Sequence, residues 1–231
     1  MNIQKIRIEN IPALLYGTGS EKLYIFVHGR YSKKEEADTF ASIVTRIGYQ
    51  VLSFDLPEHG ERIDQKYKCT IQNSIHDLMD IYSFAQNKYK CLSLYACSIG
   101  AYFSLSTFQN IIFDKCLFVS PVLNMKRLIQ NMMKLSNITE EVLKEKKEIE
   151  TTLGEIVSWD YYEFIKNNQI KKWKNETHIL YGENDNITER DILDSFVKKY
   201  KCNLEIHKNG EHWFHTEEQL KYLENWIKKV V

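Results

Sequence analysis

The stretch that decides the fold is YACSIGAY, residues 95–102. It holds a thiol, Cys97, beside a hydroxyl, Ser98, and the small residues Ala96 and Gly100 lie two positions before and after the hydroxyl. A tight strand-to-helix turn that raises one side chain above a sheet needs small residues at those two positions, because the neighbouring backbone comes close. With the thiol at the tip, the same positions would hold a tyrosine and an isoleucine. The spacing therefore predicts a nucleophile at Ser98.

Predicted strands and helices alternate on both sides of this turn. Apolar runs typical of strands buried on both faces are KLYIFVH (22–28), YQVLSFD (49–55), KCLSLYA (90–96), DKCLFVS (114–120), ETHILYG (176–182) and CNLEIHK (202–208). The segment 71–88 has apolar residues at helical spacing, and residues 3–9 alternate as in a short N-terminal hairpin. This order predicts an α/β fold with a mostly parallel central sheet flanked by helices.

Residues 122–174 interrupt the alternation. They carry two or three helical signals and no strand signal, and they lie between the buried strands CLFVS and HILYG. We expect a helical cap, or lid, inserted into a core formed by residues 1–121 and 175–231. The candidates for lining a substrate pocket are Arg30 from the core and Met132, Trp159, Tyr161, Tyr162 and Phe164 from the insertion.

The composition narrows the possible partners and compartment. The chain has 231 residues and equal numbers of basic and acidic residues, 31 of each, so its charge does not indicate binding to nucleic acid or to an anionic membrane. Five cysteines without a C-x-x-C pattern argue against a disulfide framework or a zinc site. The sequence has neither an apolar signal segment nor a membrane-spanning run. We expect a cytoplasmic protein, with no indication of its oligomeric state.

Three side chains with complementary chemistry follow three of the predicted strands. Ser98 is followed in chain order by Asp185, in GENDNIT, and by His212, in GEHWFH. In a parallel sheet, such residues meet at the carboxyl edge. An imidazole there can take the serine proton, and a carboxylate can fix the imidazole tautomer. The alternatives are a helix-capping role for Asp185, with Thr188 as N-cap of the next helix, and an H-x-x-H metal pair, for which the sequence offers no third ligand pattern.

From about residue 20 to the end, the chain resembles the α/β-hydrolase superfamily. The resemblance rests on HG (28–29), DLPEHG (55–60), the turn at 96–100, GENDNIT (182–188) and GEH (210–212), each following a strand in the superfamily's order. It implies an α/β-hydrolase fold and a catalytic triad of Ser98, Asp185 and His212. It also implies an oxyanion hole formed by the backbone N–H groups of Arg30 and Ile99, and no cofactor or metal.

The function expected from this resemblance is hydrolysis of a small or medium carboxylic ester through an acyl-enzyme. A cap over the site would favour small-molecule esters or thioesters over large lipid aggregates. Three alternatives use the same triad: a thioesterase, an acyltransferase and a small peptidase. A further alternative, from a different class, is a ligand-binding protein that keeps the fold without turnover.

Overall fold

The structure, a computed structural model, describes residues 1–231. Before residue 122 the elements are β1 Ile3–Ile8, β2 Ile11–Tyr16, β3 Lys22–Val27, α1 Asp38–Val44, β4 Gln50–Phe54, α2 Ile71–Gln86, β5 Cys91–Cys97, α3 Ser98–Thr107 and β6 Cys116–Val119. The predicted N-terminal hairpin is confirmed, with β1 and β2 paired antiparallel. Helix α2 begins where the sequence predicts it, because the hydroxyl of Thr70 accepts a hydrogen bond from the Asn73 N–H.

The insertion contains both helices and strands. Its elements are α4 Met125–Leu135, α5 Glu140–Lys146, β7 Glu148–Glu150, β8 Ile156–Ser158 and α6 Trp159–Asn167. The helices agree with the sequence, but the prediction that this segment has no strand is wrong, because β7 and β8 pair as an antiparallel hairpin. Each strand has only three residues. An alternating pattern cannot be recognised over so short a length.

The last part of the chain adds β9 Thr177–Gly182, α7 Arg190–Tyr200, β10 Asn203–His207 and α8 Glu217–Val230. The N-cap predicted for α7 is wrong. Glu189 holds that position, and the hydroxyl of Thr188 donates to the carbonyl of Pro121 at 2.8 Å instead. Helix α8 has the capping box, in which Thr216 and Gln219 exchange hydrogen bonds.

Eight strands form the central sheet, in the order β1-β2-β4-β3-β5-β6-β9-β10. Strand β2 pairs antiparallel with both β1 and β4, and every other pair in this sheet is parallel. This confirms the predicted mostly parallel sheet. Since the parallel strands end at one edge, the loops that follow β3, β5, β9 and β10 meet there.

Apolar side chains cover both faces of the sheet. Along β3, Leu23, Ile25 and Val27 belong to the larger buried cluster, whereas Tyr24 and Phe26 belong to the cluster on the other face. This alternation follows from the two-residue period of a strand. Apolar residues of the insertion join the larger cluster, so the insertion packs on the core. No helix of the protein combines the length and the apolar character that crossing a membrane requires.

Candidate active site

Ser98 lies on a strained turn between β5 and α3. Its backbone has φ +48°, in the left-handed region that L-residues avoid, at a cost of about 1–2 kcal/mol. A Cβ at Gly100 would lie 2.4 Å from the carbonyl oxygen of His28 and 2.8 Å from that of Val27. Ala96 is fully buried beside β3. The neighbouring backbone therefore comes as close to the turn at Ser98 as the small residues Ala96 and Gly100 predicted.

A continuous chain of hydrogen bonds joins Ser98, His212 and Asp185. The Ser98 Oγ lies 2.8 Å from the His212 Nε2, and the His212 Nδ1 lies 2.7 Å from the Asp185 Oδ2. Because an ionised carboxylate only accepts hydrogen bonds, the Nδ1 carries the proton and the Nε2 is free to accept one from the serine. These three residues, predicted from the sequence, are brought together by the fold.

The carboxylate of Asp185 is fully buried and held in one orientation. Its Oδ1 accepts the N–H groups of Ile187 and Thr188, at 2.8 and 2.9 Å. The other oxygen, Oδ2, is left to His212. Asp185 thus both orders the loop before α7 and orients the imidazole. It does not cap the helix, because its N–H partners precede α7 and Glu189 holds the N-cap position.

The loops that carry Asp185 and His212 are fastened to each other through the main chain. The N–H of Asn184 donates to the carbonyl of Gly210 at 2.7 Å, and the N–H of Glu183 donates to that of His207 at 3.0 Å. A Cβ at Gly182 would lie 2.5 Å from the carbonyl oxygens of Gly210 and Glu211. Gly182 was not among the residues predicted from the sequence. Its position at the end of a strand and before the acidic loop was the available signal.

His28 fixes the loop that follows β3. Its Nε2 accepts the N–H of Leu56 at 3.1 Å, so its Nδ1 carries the proton and donates to the carbonyl of Gly29 at 2.7 Å. The side chain is completely buried, and burial lowers the pKa of His28 to about 4, which keeps it neutral near neutral pH. The structure therefore assigns His28 to loop orientation.

The peptide between Gly29 and Arg30 passes beside Ser98. A Cβ at Gly29 would lie 3.3 Å from the Cβ of Ser98. In a planar trans peptide the N–H points opposite to the C=O. Since the Gly29 carbonyl faces His28, the N–H of Arg30 faces away from it. Ile99 lies in the first turn of α3, where backbone N–H groups have no partner within the helix.

The predicted pocket residues of the insertion lie in different surroundings. Tyr162 is completely buried, and its hydroxyl donates to Glu140 at 2.6 Å and accepts from Gln130 at 3.0 Å. Trp159 is nearly buried, and Met132 is half-buried against the larger core cluster. The contacts of Tyr162 are thus satisfied inside the insertion and give no support to its predicted role in a substrate pocket.

Of the two adjacent tyrosines, Tyr161 fits the predicted role in a substrate pocket better than Tyr162. Its hydroxyl is buried and has no hydrogen-bond partner within the protein. Burial raises the pKa of Tyr161 well above its usual value. Tyr102 and Cys69 raise this pKa further, whereas the nearby Arg30 opposes the shift. Tyr102 lies one helical turn after Ser98. The unpaired hydroxyl of Tyr161 is thus within the electrostatic influence of Tyr102 on α3 and of Arg30.

Cys97 and His215, the second histidine of the H-x-x-H pair, have surroundings different from those of Ser98 and His212. Burial raises the pKa of the Cys97 thiol well above its usual value, and the nearby Glu36 raises it further. The Nδ1 of His215 bonds to the carbonyl of Trp213, and no group of three or more His, Cys, Asp or Glu side chains is arranged to hold a metal ion. A surface cavity of about 790 Å³ lies between the loop after β2 and the end of α1, and neither Ser98 nor His212 lines it.

Solved structures of low sequence identity share this architecture. A putative hydrolase from Agrobacterium vitis S4 has a TM-score of 0.80 and 16% identity, over 100% of this chain and 98% of its own. Est1E from Butyrivibrio proteoclasticus, solved with ferulic acid bound, has a TM-score of 0.77 and 16% identity, over 98% and 96%. Alpha/beta hydrolase domain-containing protein 10 from mouse has a TM-score of 0.75 and 14% identity, over 99% and 98%.

These likenesses identify the fold. The chain has the α/β-hydrolase fold, as the sequence motifs predicted. No family model matches the chain, and no curated protein matches it either.

Proposed function

We propose that the protein is a serine hydrolase that cleaves a small or medium carboxylic ester through an acyl-enzyme. The observation that carries the proposal is the hydrogen-bonded chain from Ser98 through His212 to the buried Asp185. A structural serine at the start of a helix requires neither a strained backbone nor an imidazole aligned on its Oγ. Both features are what an activated serine nucleophile needs.

In the proposed reaction, the Ser98 Oγ attacks the ester carbonyl while its proton passes to the Nε2 of His212. The new bond forms as the carbonyl π-electrons move onto the oxygen, giving a tetrahedral oxyanion. Asp185 stabilises the resulting imidazolium through the Nδ1. Collapse of the intermediate expels the alkoxide, which takes the proton from the Nε2 and leaves as the alcohol. Water then repeats the sequence on the acyl-enzyme, releasing the acid and restoring the serine.

The oxyanion is stabilised by the backbone N–H groups of Arg30 and Ile99. The support for this assignment is the passage of the Gly29–Arg30 peptide beside Ser98 and the unpaired first turn of α3. Backbone N–H groups held in place before the reaction need no reorganisation as the charge develops. His28 holds the first of these donors from behind, through the Gly29 carbonyl.

Residues 122–174 form the proposed cap over this site. Two ion pairs support this assignment by joining the insertion to the core: Arg30 with Glu155, and Arg127 with Glu189. Within the cap, Tyr161 replaces Tyr162 as the candidate pocket residue, because its hydroxyl is buried without a partner. Another similar structure, the esterase Pf2001 from Pyrococcus furiosus (TM-score 0.66, 19% identity over 99% of this chain and 89% of its own), supports an ester as the substrate class.

The test of the proposal is covalent labelling with a fluorophosphonate, followed by mapping of the modified residue. We expect Ser98 to be labelled, and we expect Ser98→Ala to lose the label and to reduce ester turnover about 10⁴–10⁶-fold. The matched control is Ser104→Ala, a buried serine of the same helix whose hydroxyl bonds to the Gly100 carbonyl. Undiminished labelling in Ser98→Ala would refute the proposal.

A substrate panel separates ester hydrolysis from the other reactions of the same triad. Matched oxygen esters, thioesters and amides of one acyl group should be compared, each with and without a competing alcohol. Ester hydrolysis predicts free acid as the main product in every oxygen-ester reaction. Ester formation from the added alcohol would indicate an acyltransferase, and labelling without turnover on any substrate would indicate a binding protein.

A further inference from the structure

The tip of the β7–β8 hairpin forms hydrogen bonds with the loop that follows β3. The Glu155 carboxylate binds the Arg30 guanidinium, with Oε2 at 2.6 Å from Nη2 and Oε1 at 3.3 Å from Nε. The hydroxyl of the next residue, Tyr31, donates to the same carboxylate. These partners are 125 and 124 residues away in the chain. One side chain of the insertion therefore holds two consecutive residues of the core loop.

Glu155 is itself anchored within the hairpin. Its N–H donates to the hydroxyl of Thr151 at 3.2 Å, and its carbonyl accepts the N–H of Thr151 at 2.8 Å. Thr151 is buried. The position of the carboxylate is therefore tied to the hairpin, and moving the insertion would move or release the carboxylate.

The loop held by Glu155 has little other covering. Tyr31 is 81% exposed and has φ +62°, a conformation that L-residues rarely adopt. The Arg30 guanidinium stacks over the Tyr31 ring, 5.0 Å from its centroid. On one side, His28 fixes the Gly29 carbonyl from inside the protein. On the other side, Glu155 fixes the side chains of the two following residues. The peptide N–H of Arg30 lies between these two restraints.

We propose that Glu155 is a positioning residue that couples closure of the insertion to the oxyanion donor at Arg30. When the hairpin is packed on the core, the carboxylate holds Arg30 and Tyr31, and the Arg30 N–H points where the oxyanion forms. When the hairpin lifts, the loop is released and the donor loses its orientation. This inference rests on the proposed serine hydrolase function. It adds a residue outside the triad that acts on the rate through Arg30.

The two possible roles of this ion pair predict effects of different size on turnover and on stability. Both partners are partly exposed, so the pair itself contributes little to stability. Loss of one oxyanion donor, in contrast, lowers turnover about 10²–10³-fold in serine hydrolases. A positioning role therefore predicts a large effect on kcat and a small effect on thermal stability. A simple tether between insertion and core predicts the opposite balance, or an effect on KM.

The chain provides a matched control on the other side of the insertion. Glu189, at the start of α7, accepts from the Arg127 Nε at 3.0 Å and from the Asn131 Nδ2 at 2.8 Å. This pair also joins the insertion to the core, and its exposure is similar to that of the Arg30–Glu155 pair. None of its hydrogen bonds involves the loop of Arg30. Glu189→Ala therefore removes a tether and leaves the oxyanion donor untouched.

The experiment compares Glu155→Ala, Glu155→Gln and Glu189→Ala with the unchanged protein. The measurements are fluorophosphonate labelling, kcat and KM on one ester, and the inhibition constant of a trifluoromethyl ketone, whose hemiketal adduct with Ser98 carries the oxyanion. We expect Glu155→Ala to lower kcat roughly 10- to 100-fold and to weaken the ketone by a similar factor, with KM and Tm nearly unchanged. Glu155→Gln keeps one acceptor oxygen, so its kcat should lie between that of Glu155→Ala and that of the unchanged protein. Glu189→Ala should match the unchanged protein in kcat.

The outcomes separate the two proposals. If the unchanged protein shows neither labelling nor turnover, the proposed function fails. If it is active but Glu155→Ala and Glu189→Ala reduce kcat equally, or if Glu155→Ala changes only KM, then Glu155 is a tether and the positioning role is wrong.

Discussion

Cys97 and Ser98 are neighbours in the chain, but the backbone turns at Ser98 and sends their side chains to different surroundings. The serine faces His212, whereas the thiol lies beside the buried Tyr95 and near Glu36, whose charge disfavours a thiolate. Burial raises the pKa of Cys97, so the thiolate that would react is scarce at neutral pH. Position on the turn, and not intrinsic nucleophilicity, thus determines which of the two residues is available.

We therefore expect Cys97→Ala to keep both the fluorophosphonate label and most of the ester turnover. Its cost should be in packing, about 1–3 kcal/mol of unfolding free energy. Iodoacetamide should leave the activity of the native protein largely intact. A Cys97→Ala variant that folds but neither labels nor turns over ester would point to a cysteine nucleophile.

At Asp185, we expect the replacement of one carboxylate oxygen by an amide nitrogen to lower turnover. In Asp185→Asn, the amide oxygen can still accept the N–H groups of Ile187 and Thr188, so the loop and the fold should survive. The amide NH₂ would then face His212 and favour the wrong imidazole tautomer, and turnover should fall about 10³–10⁴-fold.

The control for this change is Asp191→Asn, in the first turn of α7. It removes a favourable charge from a helix N-terminus, at a cost of about 0.3–1 kcal/mol, and should leave turnover unchanged. Equal loss of turnover in both variants would show that loop disruption, and not the tautomer of His212, is the cause.

Among the elements, the loops after β9 and β10 function as one unit. They are joined by main-chain hydrogen bonds and packed so closely at Gly182 that a Cβ would overlap two carbonyl oxygens. In Gly182→Ala these loops must separate, which should cost about 1–3 kcal/mol of unfolding free energy. Because a shift of about 1 Å can lower a rate about 10²-fold, we also expect a fall in kcat of that order.

Chemical denaturation and steady-state kinetics measure the two effects. Gly19→Ala is the matched control, because Gly19 has φ +66° with open space around it, in the loop between β2 and β3. Because its only cost is backbone strain, Gly19→Ala should lose about 1–2 kcal/mol of unfolding free energy and keep its turnover. If Gly182→Ala retained full activity, the close approach of the two loops would not be needed to align Asp185 and His212.

For the molecule as a whole, the buried neutral His28 makes stability depend on pH. An unfolded histidine titrates near ~6.5, whereas burial lowers the pKa of His28 to about 4 in the folded protein. Between these values the unfolded chain binds more protons, so stability rises with pH. Falling pH therefore removes stability from about pH 6.5 downward, and the loss from this residue ends near pH 4. Its full size is roughly 3 kcal/mol.

We expect His28→Gln to lose less stability than the unchanged protein over this pH range, although it should be less stable at pH 7. Urea unfolding at several pH values between 4.5 and 7 measures the difference. The comparison is needed because burial also lowers the pKa of His59, which adds a dependence of the same sign in both proteins. Parallel stability curves for the two proteins would mean that His28 does not carry this part of the acid sensitivity.

The sequence by itself determined the fold class and the tight turn at Ser98. Both are local properties: the alternation of apolar strands and amphipathic helices specifies a parallel sheet, and the small residues around Ser98 specify the turn that exposes it. The position of Ser98, Asp185 and His212 after three of the parallel strands then placed them at one edge, because parallel strands share their carboxyl edge.

The tertiary structure alone decided the contacts that depend on distant segments. The hydrogen bonds of Arg30 with Glu155 and of Arg127 with Glu189 span 125 and 62 residues, so no local pattern indicates them. The same holds for the choice between Tyr161 and Tyr162, which are adjacent in sequence but face different neighbours across helix α6. Strands as short as β7 and β8 exist only because each supplies the other's hydrogen bonds. Packing and pairing across the chain, not local preference, determine these features.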